Sequence, residues 1–174
     1  MNKAYKVFEH IKLGGLILSG STIFIMMLFI VADVILRNLL NASLLGSYEI
    51  TQYFLMPLAF FPGLAFAYSS GIMPRIEMFV VKLKTRHQHN IFMMLLVLEL
   101  ILFLLLTFYG LQYALIGTQE TLGFSMKGTI ISYYPILYFV PLGFLLLSIE
   151  ILFLIIKNAH TKEPTLSVNK NSQY

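Results

Sequence analysis

The chain has 174 residues and a net charge of +4; it is 58% hydrophobic, 11% charged and free of cysteine. That composition excludes a soluble globular domain, and the lack of cysteine excludes thiol redox chemistry and cysteine-ligated metals. Four long apolar runs use most of the length, so no room remains for a soluble catalytic domain, and the surplus of cations reads as membrane topology rather than as a nucleic-acid footprint.

Residues 1–12 place Val7, Phe8 and Ile11 on one helical face, with Lys6, Glu9 and His10 elsewhere. This segment reads either as a short interfacial helix or as a frayed basic tail. The first apolar run is Leu13 to Leu36. Lys3, Lys6 and Lys12 before it resemble the start of a secretory signal. The run is too long for a signal core, however, and no small-x-small cleavage site follows, so it is expected to be a retained span. Asp33 and Arg37 lie four apart near its end and share a helix face. The link Asn38 to Glu49 carries the turn residues Asn41, Ser43, Gly46 and Ser47, and its shortness makes the first two helices antiparallel neighbours. Its Asn41-Ala42-Ser43 sequon lies too close to the membrane to carry weight.

The second run is Ile50 to Ser70. Ala59, Gly63, Ala67 and Gly71 recur every four residues, a stripe of small side chains that lets another helix approach closely. Pro57 and Pro62 predict a bend. In the segment Gly71 to Asn90, Ile76, Phe79, Val80 and Leu83 follow helical spacing, and Arg75, Lys82, Lys84 and Arg86 lie among them. That pattern predicts an amphipathic helix in the membrane plane with its cations on lipid headgroups.

The third run, Ile91 to Ile116, holds almost only Leu, Phe, Met and Ile up to Phe108, as suits a helix facing lipid. Gly117 to Thr129 links it to the fourth run, Ile130 to Ile156. There Tyr133, Tyr134 and Tyr138 form an aromatic belt, with Pro135 and Pro141 nearby. The expected organisation is one four-helix membrane domain over residues 1–160 and a polar cytoplasmic tail over 161–174.

Even the shortest run, 21 residues, covers roughly 31 Å as a helix, about one hydrocarbon core. Ten cations fall on one side of the four runs and only Arg37 and Lys127 on the other. The positive-inside rule then places both termini in the cytoplasm.

Charged groups at membrane depth each need a partner or a cavity. Glu49, at the start of the second run, is placed to complete a triad with Asp33 and Arg37. Glu99 and Glu150 lie in the third and fourth runs, both roughly 9 to 12 Å inside the cytoplasmic boundary. They are candidates for a shared proton, a bound cation or a cationic residue of another chain. All four histidines, His10, His87, His89 and His160, fall outside the runs, which argues against a haem anchor. His87-x-His89 is a weak metal signal. No nucleophile triad, catalytic carboxylate pair or phosphate-binding glycine loop is present, so neither an enzyme nor a cofactor is expected.

Several local patterns then resemble one family. Asp33-Val34-Ile35-Leu36-Arg37-Asn38-Leu39-Leu40-Asn41 is similar to its Val-x-x-Arg-Tyr-x-x-Asn region. Ser47-Tyr48-Glu49-Ile50 stands where it has Trp followed by acidic residues. Gly71-Ile72-Met73-Pro74-Arg75-Ile76-Glu77-Met78 stands at its Gly-x-His-Ile-x-Val, and Tyr138-Phe139-Val140-Pro141-Leu142-Gly143-Phe144 resembles the Pro-x-Gly-Phe of its last span. In order and spacing the chain resembles the small, DctQ-like membrane subunit of tripartite ATP-independent periplasmic (TRAP) transporters. The resemblance implies a multi-pass subunit of a bacterial inner membrane. It would brace a large multi-span permease that takes up an organic anion, such as a carboxylate or a sialic acid, with sodium, the anion being delivered by a periplasmic binding protein. Asp33, Arg37, Glu49, Ala59, Gly63, Ala67, Gly71, Glu99, Pro141, Gly143 and Glu150 become candidates for structural joints or partner contacts. Two other readings compete. One is an autonomous proton-coupled exporter using Glu99 or Glu150; the other is a membrane anchor for a respiratory enzyme.

Overall fold

The computed structural model describes residues 2–40, 44, 46–71, 85–126 and 128–160. Four helical segments are long and apolar enough to cross a membrane, as the four runs predict. The first, α1 (Asn2–Leu40), is one unbroken helix of 39 residues, roughly 58 Å long. The segment before the apolar run is helical, not frayed, and it is continuous with the span: the helix starts eleven residues before the run. Along it, Tyr5, Phe8, Lys12, Gly15, Ser19, Thr22, Met26, Phe29, Asp33 and Leu36 are buried or half-buried, and nearly every other described position is exposed. These inward positions alternate three and four apart, the spacing of a helix packed along its length. Half of them are small or polar. The large apolar residues, such as Phe24, Ile25, Met27 and Leu28, point outward, as they can where the surroundings are lipid.

The second helix is broken into pieces: α2 (Ser47–Ile50), a π turn (Thr51–Leu55), α3 (Met56–Phe60), a 3-10 turn (Phe61–Gly63) and α4 (Leu64–Ser69). The prolines explain both irregularities. Pro57 offers no N–H to the Tyr53 carbonyl, and just before it the chain widens so that the Met56 N–H bonds to Thr51. Pro62 offers none to Leu58, and the turn tightens so that the Leu64 N–H bonds to Phe61. Two neighbours close on this tight turn. A Cβ on Gly15 of α1 would overlap the Pro62 carbonyl oxygen, and one on Gly143 of the last helix would lie 2.5 Å from the Phe61 oxygen. Only glycine lets both backbones come this near.

The third helix, α5 (Thr85–Gln119), begins before the apolar run. The in-plane helix expected over Gly71 to Asn90 falls largely outside the described residues; from Thr85 onward the chain already belongs to α5. A two-stranded antiparallel hairpin follows, β1 (Gly123–Met126) with β2 (Thr129–Ser132), Met126 facing Thr129. This corrects the expected start of the fourth span at Ile130, which lies in β2. The two-residue connection ends in Gly128 at φ 85, a left-handed conformation suited to a tight hairpin turn. Helical structure resumes as α6 (Tyr134–Leu137) and α7 (Phe139–His160). The break at Tyr138 stands next to Pro141, which cannot donate to the Leu137 carbonyl.

The most extensive helix pairing is α5 on α7, and α1 packs mainly on the broken second helix. The apolar core lies between the second helix, α5 and α7, built from Leu64, Tyr68, Phe92, Leu96, Leu147, Ile151 and Leu154. None of these comes from α1. Phe61, Phe103 and Phe144 extend the core, with Phe103 stacked on Phe144 at 5.9 Å.

The glycine clamp leads to a test. Gly143→Leu should lower stability by roughly 1 to 3 kcal/mol, because the added carbons press on the Phe61 backbone. Gly14→Ala should be neutral or slightly stabilising, since nothing lies within 4 Å of its would-be Cβ. Unfolding midpoints in detergent micelles compare the two; equal midpoints would remove the clamp.

Candidate functional site

The charged residues expected at membrane depth gather at the two ends of α1. At the end near the termini, Lys12 and Glu150 form an ion pair at 2.8 Å, with side chains 2% and 0% exposed. Both carboxylate oxygens are used: the Lys12 ammonium donates to Oε2, and the Tyr5 hydroxyl donates to Oε1 at 3.2 Å. The same ammonium donates to the Tyr5 oxygen at 3.1 Å and lies 4.9 Å from that ring's centre and 5.4 Å from the Phe8 ring. Phe153 seals the group, edge-on to Tyr5 at 5.5 Å and tilted on Phe8 at 5.7 Å. Glu99 accepts from the Tyr68 hydroxyl at 2.9 Å. Tyr5, Lys12 and Glu150 thus satisfy one another between α1 and α7, as buried charge requires, and Tyr68 with Glu99 joins the second helix to α5. Glu150 therefore meets a lysine of its own chain, 138 positions away, rather than one from another chain.

At the far end of α1, Asp33 accepts from Arg37 at 2.8 Å through one oxygen and from the Leu44 backbone N–H at 2.8 Å through the other. Asp33 is buried while Arg37 is 63% exposed. Asp33 thus ties the end of α1 to the following link, and Arg37 caps it from outside. Glu49 takes no part in this pair, so the expected triad is a dyad plus a backbone donor.

The hairpin covers the same end. Phe124 stacks on Tyr53 at 5.9 Å and meets Phe54 edge-on at 6.4 Å, while Tyr133 stacks on Tyr53 at 4.4 Å. Burial, with the nearby Tyr113 and Tyr53, raises the Tyr133 hydroxyl above its ordinary value, so Tyr133 stays neutral near neutral pH. Tyr138 shares a hydrogen bond of 2.8 Å with Thr118.

A protein-family model described as "Tripartite ATP-independent periplasmic transporters, DctQ component" matches residues 26–160. The chain belongs to this family. No curated protein matches it. It is accordingly a multi-pass protein of the bacterial inner membrane and a component of a TRAP transporter. The matched stretch includes Asp33, Arg37, Tyr68, Glu99 and Glu150 but not Tyr5 or Lys12.

The remaining candidate residues fall in different places. In this DctQ subunit Gly63 lies against Ser19 of α1, 2.9 Å from its hydroxyl to the would-be Cβ, so the small-residue stripe serves internal packing at that point. Ala59 and Ala67 are half-buried, and Gly71 is exposed with nothing near it. Pro141 and Gly143 are buried, against Gly110 and Phe61 respectively. Arg75, Lys82 and Lys84 lie outside the described residues, and of Arg86 only the backbone, within α5, is described. Sequence reasoning missed Lys12, Tyr5 and Tyr68. The signal was present: Tyr5, Phe8 and Lys12 continue the inward three-four spacing, and a lone carboxylate in the last span demands a cation.

The two ion pairs predict unequal costs. Glu150→Ala leaves Lys12 buried without its counter-ion and should cost about 3 to 5 kcal/mol. Arg37→Ala removes an exposed group and should cost about 1 kcal/mol or less. Denaturant unfolding in micelles measures both, and the reverse order would refute the assignment of burial.

Proposed function

We propose that this DctQ subunit is a non-catalytic brace for the large permease of its transporter. The large subunit carries an organic anion, a carboxylate or a sialic-acid-like sugar acid, inward with sodium after a periplasmic binding protein delivers it. Both termini face the cytoplasm. The ten-to-two cation split supports that topology, as does the aromatic cluster at the opposite end. In the same reading, the segment after Gly71 lies in the membrane plane with Arg75, Lys82, Lys84 and Arg86 on lipid phosphates. Residues 1–160 act as one membrane domain and residues 161–174 as a polar tail.

The observation that carries this reading is the pairing of Glu150. A carrier's acid must alternately bind and release an ion. Glu150 instead has both oxygens engaged by groups of its own chain, at 0% exposure. Glu99 is likewise held by Tyr68. The autonomous exporter, which needs one of these acids free, loses its support. The stable interior suits a part that stays still while its partner moves. The outward apolar faces of α1 and α5, with the Arg37 guanidinium presented at one end, suit contacts with lipid and the large subunit.

Reconstituted vesicles test this reading. Uptake should require the large subunit and the binding protein, and this subunit alone should transport nothing. Glu99→Gln and Glu150→Gln should lower the yield of complex but leave the ion stoichiometry of each surviving complex unchanged. An altered stoichiometry would place transport chemistry in this chain. Reporter fusions after Lys127 and after Lys170 should report opposite compartments, and a shared compartment would remove the four-span topology.

A further inference from the structure

A serine or threonine hydroxyl within a helix has a ready acceptor in the carbonyl one turn back. Thr22 of α1, Thr107 of α5 and Ser148 of α7 all use it, at 2.8, 2.8 and 2.9 Å. Ser19 of α1 does not. Its side chain is 5% exposed, and its hydroxyl has no hydrogen-bond partner among the described residues. The hydroxyl is turned toward the second helix, with Oγ 2.9 Å from where a Cβ of Gly63 would stand. A buried hydroxyl without a partner costs free energy, so this orientation needs a reason.

The Pro62 turn supplies one. Pro62 has no N–H, so the Leu58 carbonyl loses the donor that the helical ladder would give it. Lipid cannot replace that donor, and proline breaks in membrane helices are completed by neighbouring Ser or Thr side chains and ordered waters. A helical carbonyl opens along the axis toward the residue four positions on, so the Leu58 oxygen opens toward Pro62, beside Gly63. The first helix lies on the same two residues: Gly15 meets Pro62, and Ser19 meets Gly63. A hydroxyl in need of an acceptor and a carbonyl short of a donor thus share one stretch of helix contact, and they do not bond directly. A water joins such groups well when it finds two or more polar partners.

We propose that the Pro62 turn holds one buried water, which accepts from the Ser19 hydroxyl and donates to the Leu58 carbonyl. This water fixes the bend of the second helix from the side of α1. It thereby keeps the Pro62 and Phe61 carbonyls where Gly15 and Gly143 close on them. The site is structural and is independent of the transport reading.

The sign of the Ser19→Ala effect decides first. A hydroxyl with no partner costs stability where it stands, so its removal would leave the chain as stable as before or more so. A hydroxyl that holds a bridging water loses a hydrogen bond instead. Ser19→Ala should then raise the unfolded-to-folded ratio of the full-length protein, at fixed denaturant in micelles, by roughly three- to tenfold. A neutral or stabilising Ser19→Ala would remove the site. Pro62→Ala returns an N–H to the Leu58 carbonyl, so in that background Ser19→Ala should change the ratio by less than about twofold. An equal loss in both backgrounds would overturn the bridge to Leu58. An experimental structure at a resolution that shows ordered waters should place one oxygen within hydrogen-bond distance of both Ser19 Oγ and the Leu58 carbonyl. A direct bond between those two groups, with no water between them, would overturn the water site. The Ser19→Ala sign and that structure need no proline variant, so the test stands even if Pro62→Ala fails to fold.

Discussion

An ammonium and a carboxylate can both lie inside a membrane protein only if each neutralises the other and their remaining hydrogen-bonding positions are filled. Lys12 and Glu150 meet that condition with the help of Tyr5. Their position ties the first helix to the last, beside the rings of Tyr5 and Phe8 on Phe153. The arrangement accounts for how α1 is built. A helix held by polar and close-packed contacts can turn its small and polar residues inward and leave its leucines, isoleucines and phenylalanines outside. Half of the inward row from Tyr5 to Leu36 follows that rule, with Lys12, Gly15, Ser19, Thr22 and Asp33 turned in.

The second helix provides the surface that α1 lies on, and its irregularity is what makes the fit close. A regular helix keeps its carbonyls within its own ladder. Pro62 disturbs that ladder, and the resulting tight turn is met from one side by Gly15 and from the other by Gly143. Three helices therefore meet at one level with almost no side chain between them. Beyond that level, toward the hairpin, the space is filled by aromatic rings on Tyr53 and Phe124. Toward the termini it is filled by the core on Leu147 and Ile151.

The parts of this fold that depend on local chemistry were legible in the sequence. Four spans follow from run length, the disturbance of the second helix from Pro57 and Pro62, and the Asp33–Arg37 pair from a spacing of four. What depended on bringing distant segments together was not. Lys12 looked like a flanking cation because it precedes the apolar run, and only the approach of Glu150 turns it into a buried partner. Glu49 shared a level with Arg37, yet level alone does not set direction, and the Leu44 backbone took the second oxygen of Asp33 instead. The hairpin was hidden because Thr129-Ile130-Ile131 is apolar enough to extend a helix. Its β-branched residues beside Lys127-Gly128 were the cue for a strand and a tight turn.

In the proposed role of a brace, the subunit must resist deformation while its outer surface adapts to lipid and to a partner, and the two demands fall on different parts of this chain. Polar pairing fixes the interior, because an ion pair or a backbone-to-backbone contact has one good geometry. The exterior of α1 and α5 carries Val97, Leu98, Ile101, Leu102 and their like, whose contacts depend little on orientation. A carrier requires the opposite layout, with labile polar groups in the interior that can exchange their partners. Glu99 and Glu150, the acids within the last two spans, are each bonded to a neighbour in their own chain. That commitment is what supports reading the subunit as a scaffold.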